Sequence, residues 1–313
     1  MYYVLRRTGA MISTLLLVSV ITFTIFQIIP GDPIMAKLGL DADPAQVAAL
    51  RNELGLDNPV PIRYFKWLGK AVQGDFGESI RFTQPVSELL KNRFSVTLSL
   101  AVISLSISMI VGISLGLLAA KYNNTTFGLL ISVITQLGMS VPSFWVGILL
   151  ILVFSIIFRW FAPGGYIPWS ENPWGAFRSL FLPSLAIALP KIAEIVRYLR
   201  TTVIEQLKQD YVRTAYGKGL GFNRILYTHV VRNALVPVIT VIGMIIADVL
   251  AGSLIIEQVF TLPGLGRLLI MAISNRDFPL VQGMVMYIAF IVVIINLSVD
   301  MMYCIIDPRI SLH

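Results

Sequence analysis

Six stretches of the chain, at about 8–29, 97–120, 127–158, 180–199, 235–256 and 280–305, are each nearly free of charge and long enough to cross a membrane. A bilayer core of about 30 Å needs about 20 apolar residues at a rise of about 1.5 Å each. Inside such a core every backbone N–H and C=O must be bonded within the protein, so apolar segments of this length form helices. The pattern predicts an all-α integral membrane protein with six transmembrane helices. Composition agrees: of 313 residues, 56% are hydrophobic and 13% charged, against about 25% charged in a soluble domain.

The third stretch is too long for one straight span and contains Pro142, which predicts a kink or a break there. The fourth contains Pro183 and Pro190. The first could pass for a signal peptide, but its apolar core is long and Gln27-Ile28-Ile29-Pro30 is a poor cleavage site. It is expected to be retained.

Orientation follows from Lys and Arg, which favour cytoplasmic loops. With the N-terminus inside, the inner segments carry Arg6, Arg7, Lys121, Lys191, Arg197, Arg200, Lys208, Arg213, Lys218, Arg224, Arg232 and Arg309. The short outer loops carry only Arg159, Arg178, Arg267 and Arg276. Both termini are therefore expected in the cytoplasm. The long segment 30–93 holds eight basic and eight acidic residues and does not count against this, since long loops translocate largely regardless of charge.

Three divisions follow: 1–29, the N-terminal tail and first helix; 30–96, an extracytoplasmic segment; and 97–313, a five-helix core that includes a cytoplasmic loop, 200–234. The external segment has two helical patterns, one with Val47, Leu50, Leu54 and Leu56 and one with Tyr64, Phe65, Trp67, Leu68 and Val72, separated by Asn58-Pro59-Val60-Pro61. It reads either as a loop packed on the outer mouth or as a small subdomain that meets an external partner. In the loop 200–234, Glu205 to Ala215 reads as a helix end, Tyr216 to Gly221 as a glycine-rich break, and Phe222 to Asn233 as a new helix. Residue chemistry alone leaves this loop either a docking element or a basic segment that only sets topology.

Soluble-enzyme chemistry is missing. No G-x-S-x-G, phosphate loop or H-E-x-x-H occurs, and Gly217-Lys218-Gly219-Leu220-Gly221 is too short and wrongly spaced for a phosphate loop. The lone Cys304 forms no internal disulfide, and with His229 and His313 it is too sparse for a metal site. The net charge of +7 does not imply nucleic acid, because no basic run with interleaved aromatics stands in a soluble stretch. Ionisable residues inside spans are costly and point to function. Asp248 in the fifth stretch is either a structural carboxylate bonded between helices or a group lining a polar path, where it could meet a cationic group of a substrate. Lys191 and Glu194, three apart, can pair on one helix face and, near Arg197 and Arg200, are expected at the inner interface.

Several motifs now read together. Tyr3 to Arg7 precedes the first span and Pro30-Gly31-Asp32-Pro33 follows it. Gly74-Asp75-Phe76-Gly77-Glu78-Ser79 and Pro85-Val86 lie in the external segment, and Ser140-Val141-Pro142-Ser143-Phe144-Trp145 lies at the third-span break. Asp210-Tyr211-Val212-Arg213-Thr214-Ala215 runs to Lys218-Gly219, with His229 and Arg232-Asn233-Ala234-Leu235 beyond it. Glu257-Gln258-Val259-Phe260, Pro263-Gly264-Leu265-Gly266, Arg276-Asp277-Phe278-Pro279 and Asp307-Pro308-Arg309 complete the set. In order and spacing the chain resembles, nearly end to end, the permease subunits of ATP-binding-cassette importers in the dipeptide, oligopeptide and nickel branch. It departs at Tyr216-Gly217, where the family usually has Arg-Ala, and at Ser95, where it often has proline. The extra glycine is expected to loosen the turn.

The resemblance implies that Asp210, Tyr211, Arg213, Thr214, Ala215, Lys218 and Gly219 form a coupling helix between the fourth and fifth spans that docks on a cytoplasmic ATPase subunit. Small Ala215 would allow close packing there, and Gly219 a sharp turn. It implies a non-catalytic subunit that binds no cofactor itself, with ATP and Mg held by two separate ATPase subunits. The other partners implied are a second homologous permease chain, membrane lipid and an extracytoplasmic solute-binding protein that delivers substrate to a mouth formed by 30–93 and the loop 257–279. Ser140, Pro142, Phe144, Asp248 and Glu257 are expected along the translocation path. Di- or oligopeptides are the expected substrate, with nickel or a metal chelate as the alternative and an ion-gradient-driven secondary transporter as the rival of another class. The expected location is a bacterial or archaeal plasma membrane.

Overall fold

The computed structural model of the chain describes residues 2–28, 43–53 and 57–306. Pro30-Gly31-Asp32-Pro33, Leu54, Leu56, Asp307-Pro308-Arg309 and His313 lie outside the described residues. The regular structure among the described residues is helical: α1 (Tyr2–Ile28), α2 (Pro44–Glu53), α3 (Val60–Val72), α4 (Val86–Lys121), α5 (Thr126–Ser140), α6 (Ser143–Leu150), α7 (Pro173–Leu207), α8 (Asp210–Gly217), α9 (Phe222–Ile225), α10 (Val231–Val259), α11 (Leu265–Ser274) and α12 (Phe278–Ile306). A π-helical run, Ile151–Ile157, extends α6, and another, Leu226–Val230, joins α9 to α10 in one rod. Among the described residues, five helices are long and apolar enough to cross a membrane, and a sixth crossing arises if α5 and α6 count as one.

The helices outrun their apolar stretches. α4 begins at Val86 and runs unbroken through Ser95, and α7 begins at Pro173. Asn172 accepts a hydrogen bond from the Gly175 N–H at 2.9 Å, and Pro173 stands at the first helical position, a start signal independent of hydropathy. Pro183 and Pro190 lie within α7 without ending it. At the third stretch the chain does break. Val141 and Pro142 are extended, and α5 and α6 meet at 102°. A proline lacks an N–H and pushes the preceding residue out of the helical region.

Two compact units form: 1–95 with 264–297, and 96–263 with 298–313. In the first, α3 packs on α1. Tyr64 and Trp67 lie 5.4 and 5.7 Å from the Phe23 ring, and the Tyr64 hydroxyl bonds Ser19 Oγ at 2.8 Å. The segment 74–85 is held to the start of α12 by one buried carboxylate. Asp277 Oδ2 accepts from Ser79 Oγ at 2.5 Å and from the Arg81 N–H at 3.2 Å. Its Oδ1 accepts from the N–H groups of Ile80 (3.2 Å) and Leu280 (3.3 Å), the latter capping α12. Asp277 is 1% exposed.

In the second unit α7 is central, with Ala186, Ala188, Ile192, Ile195, Val196, Leu199 and Val203 buried. α4 approaches it through Gly112 and Gly116. A Cβ at these positions would sit 2.9 Å from Ile195 and 3.0 Å from Leu199. Small residues one turn apart permit this approach, a common device between membrane helices.

Candidate functional site

The loop between α7 and α10 carries its own short amphipathic helix. α7 ends at Leu207, one extended residue, Gln209, intervenes, and α8 starts at Asp210. The helix end read at 205–215 is thus two helices meeting at 208–209. Asp210 stands in the first turn of α8, where a negative side chain complements the helix dipole. Val212 and Ala215 face inward and join a core with Leu199, Val203, Ile225, Leu226, Val230 and Ala234, against which Tyr211 and Leu220 also pack. The Tyr211 hydroxyl donates to Gln206 Oε1 at 2.9 Å.

The other face is open. Asp210, Arg213, Thr214, Tyr216 and Lys218 are exposed. Arg213 lies 3.6 Å from Asp210, with side chains 80% and 96% exposed. Such a pair contributes little to the chain's own stability. Ala215 lies on the inward face, 7% exposed, so its small size serves packing inside this chain.

The exit from α8 is a closed turn. The Gly219 N–H donates to the Tyr216 carbonyl at 2.9 Å, and the Leu220 N–H to the Ala215 carbonyl at 3.2 Å. Gly219 has φ +79°. This pairing, with a left-handed residue after the cap and an apolar residue folding back, is the Schellman arrangement. Gly217 stays inside the helix, so the extra glycine does not open the turn. Gly219→Ala places a Cβ in the left-handed region at a cost of about 1–2 kcal/mol. Faster amide hydrogen exchange across 210–220 is the expected result.

Ser140, Pro142 and Phe144 sit together at the α5–α6 break, all exposed. Behind the break Gly147 lies against Phe260 and Ile256. Asp248 and Glu257 share α10 but not an environment. Glu257 is fully buried, and its Oε1 accepts from Thr97 Oγ1 at 2.5 Å, tying α10 to α4. It presents no surface in this conformation. Asp248 has a side chain 60% exposed, and its Oδ2 accepts from Lys191 Nζ at 2.7 Å. Lys191 also donates to Glu194 at 3.3 Å, the pair expected from spacing. Reasoning from the sequence missed the Lys191–Asp248 bond between α7 and α10, the Thr97–Glu257 bond and the Asp277 clasp. Each joins residues far apart in the chain.

Comparison with known proteins matches the chain to a family. Residues 112–312 match the family model of the binding-protein-dependent transport system inner membrane component, and residues 1–101 match the model of the N-terminal region of such membrane components. The oligopeptide transport system permease protein AppB of Bacillus subtilis is 39% identical over 314 residues, covering 99% of each chain. A Brucella suis biovar 1 protein, designated provisionally as a peptide transport system permease, is 42% identical over 307 residues and 98% of each chain. A Sinorhizobium fredii protein with a similarly provisional peptide ABC transporter permease name is 38% identical over 310 residues, again 98% of each. With both family models matched in order and relatives alignable end to end, the chain belongs to the inner membrane components of binding-protein-dependent transport systems and is a multi-pass protein of that membrane.

Proposed function

We propose that the chain is the permease subunit of an ATP-binding-cassette importer and forms half of the pathway for di- or oligopeptides. The names of its relatives favour peptides over nickel or a metal chelate. The observation that carries the coupling assignment is α8, an eight-residue helix anchored on one face by Val212 and Ala215 and bare on the other at Asp210, Arg213 and Thr214. That is the form expected of a rigid lever gripped by a partner.

In this reading two ATPase subunits hold ATP and Mg and seat the α8 segments of this chain and of a second, homologous permease. A solute-binding protein delivers peptide at the external segment 30–96. Closure of the ATPases on ATP moves α8 and, through their shared core, the inner ends of α7 and α10, so that the path opens to one side at a time. Both termini lie in the cytoplasm. Ser140, Pro142 and Phe144 at the break, with Asp248, border the path, and Glu257 braces α10 against α4 beside it. The chain itself does no bond chemistry.

The test is the assembled system in proteoliposomes with its binding protein. Tripeptide is expected to stimulate ATP hydrolysis several-fold and to accumulate only while ATP is supplied; nickel is expected to do neither. Uptake that persists without ATP under an ion gradient would overturn the assignment in favour of a secondary transporter.

A further inference from the structure

Three ionisable side chains meet within the long helices α7 and α10 of the second unit. Lys191 falls within the apolar stretch 180–199 that α7 carries, about 17 Å from one end of that stretch and about 12 Å from the other at about 1.5 Å per residue, further in than the inner segment to which its charge assigned it. Its ammonium donates to Asp248 at 2.7 Å and to Glu194 at 3.3 Å. Written as ions, two carboxylates face one ammonium, and one negative charge is left over. The side chains of Lys191 and Glu194 are 19% and 23% exposed, whereas that of Asp248 is 60% exposed.

A carboxylate that open cannot face acyl chains cheaply, and intramembrane carboxylates as a rule face a bundle interior or a water-filled cavity. Thr240, Met244, Asp248, Ala251, Ile255 and Gln258 are all exposed and recur at three- and four-residue spacing, on one face of α10. Polar Thr240 and Gln258 bracket the carboxylate along this face, with apolar Met244, Ala251 and Ile255 between them.

Resting on the peptide-permease reading, we propose that the Lys191–Glu194–Asp248 cluster is a cation-selective station in the aqueous path, where Asp248 takes the α-ammonium of a passing peptide in place of Lys191. The exchange replaces one ammonium by another on the same carboxylate. Lys191 remains held by Glu194, so neither a bare charge nor a deep trap is created. The excess negative charge draws cationic groups in and repels free carboxylates.

The chain's single cysteine, Cys304, makes the test direct. In membranes holding the complete transport system, Cys304→Ser with Ala251→Cys places a thiol one turn from Asp248. It is treated with the cationic 2-(trimethylammonium)ethyl and the anionic 2-sulfonatoethyl methanethiosulfonates, in nucleotide-free and in ATP-loaded membranes. The same membranes without Ala251→Cys give the background. The cation-to-anion rate ratio is expected to exceed that of a small free thiol by roughly tenfold. Asp248→Asn should bring the ratio back to the free-thiol value while the cysteine stays reactive. The same Asn variant should lower tri-alanine uptake by roughly tenfold, and Asp248→Glu should restore it. A merely structural carboxylate would not set the charge preference of a neighbouring thiol. The proposal fails if the cysteine reacts with neither reagent in either state, if the preference survives Asp248→Asn, or if that variant transports tri-alanine at the wild-type rate. Should Ala251→Cys not reach the membrane, Met244→Cys, one turn the other way, gives the same reading. Failure of the peptide assignment would appear separately, as absent ATP-driven uptake by the unmodified system, with the thiol chemistry unaffected.

Discussion

Asp277→Ala is expected to weaken the first unit by at least about 3 kcal/mol. The carboxylate serves four donors at once: the Ser79 hydroxyl and the N–H groups of Ile80, Arg81 and Leu280. Losing the cap on α12 costs about 1 kcal/mol. The Ser79 hydroxyl and the two segment N–H groups then lose their acceptor, and each buried donor left unsatisfied costs about 1–3 kcal/mol, less where water can enter. Arg81 also bonds Asn275 at 2.8 Å, but that contact is exposed and will not hold the segment alone. Asp277→Asn keeps the shape and one acceptor oxygen but turns an NH2 group toward donors. Its expected loss is intermediate, because the Ser79 hydroxyl can rotate to accept while a backbone N–H cannot. Ser79→Ala removes one bond only and should cost about 1 kcal/mol. Thermal unfolding of the detergent-solubilised complex gives the order Ala, Asn, Ser79→Ala, and limited proteolysis should nick the Ala variant within 74–86. An unchanged melting temperature for Asp277→Ala would show that the clasp does not hold the segment.

This clasp marks the limit of what could be read from the chain. The six apolar stretches were legible because bilayer thickness sets a length and charge sets the ends. The break at Pro142 was legible because proline acts locally. The Lys191–Glu194 contact was legible because both residues lie on one helix at a fixed spacing. Asp277 and Ser79 are 198 residues apart, and Lys191 and Asp248 are 57 apart. No periodicity says which helices will be neighbours or how each is rotated, so the motif Arg276-Asp277-Phe278-Pro279 could be noted without its role. The helix ends ran past the apolar stretches for a related reason: hydropathy reports where the membrane stops, whereas α4 and α7 continue through Glu88, Lys91 and Glu205. The inward face of α8 did carry a signal. Tyr211, Val212 and Ala215 share one side of a single helical turn, while Asp210, Arg213 and Thr214 share the other. That pattern places Ala215 against its own chain.

Arg213→Glu is expected to abolish ATP-driven uptake while leaving the chain folded and inserted. Two facts separate these effects. Arg213 is 80% exposed, and Asp210, 3.6 Å away, is itself 96% exposed. An exposed pair of this kind stabilises a helix by about 0.3–0.5 kcal/mol, and the like-charge pair that replaces it costs a similar amount. The fold therefore loses at most about 1 kcal/mol, no more than the least expected of Gly219→Ala, which acts on the turn instead. A docked ATPase changes the balance. Loss of one partner from a desolvated charge pair costs about 2–5 kcal/mol at an interface, a weakening of at least about thirtyfold, and reversing the charge adds repulsion. Affinity capture through a tagged permease should then recover the second permease chain but little ATPase, and peptide accumulation should fall to background. Arg213→Lys keeps the charge but loses the planar fork, so partial association is expected if the partner supplies a carboxylate. A Glu variant that retains its ATPase and its uptake would remove α8 from the coupling path, because its exposed face offers no other cation so rigidly placed: Lys218 lies beyond the helix, at the cap.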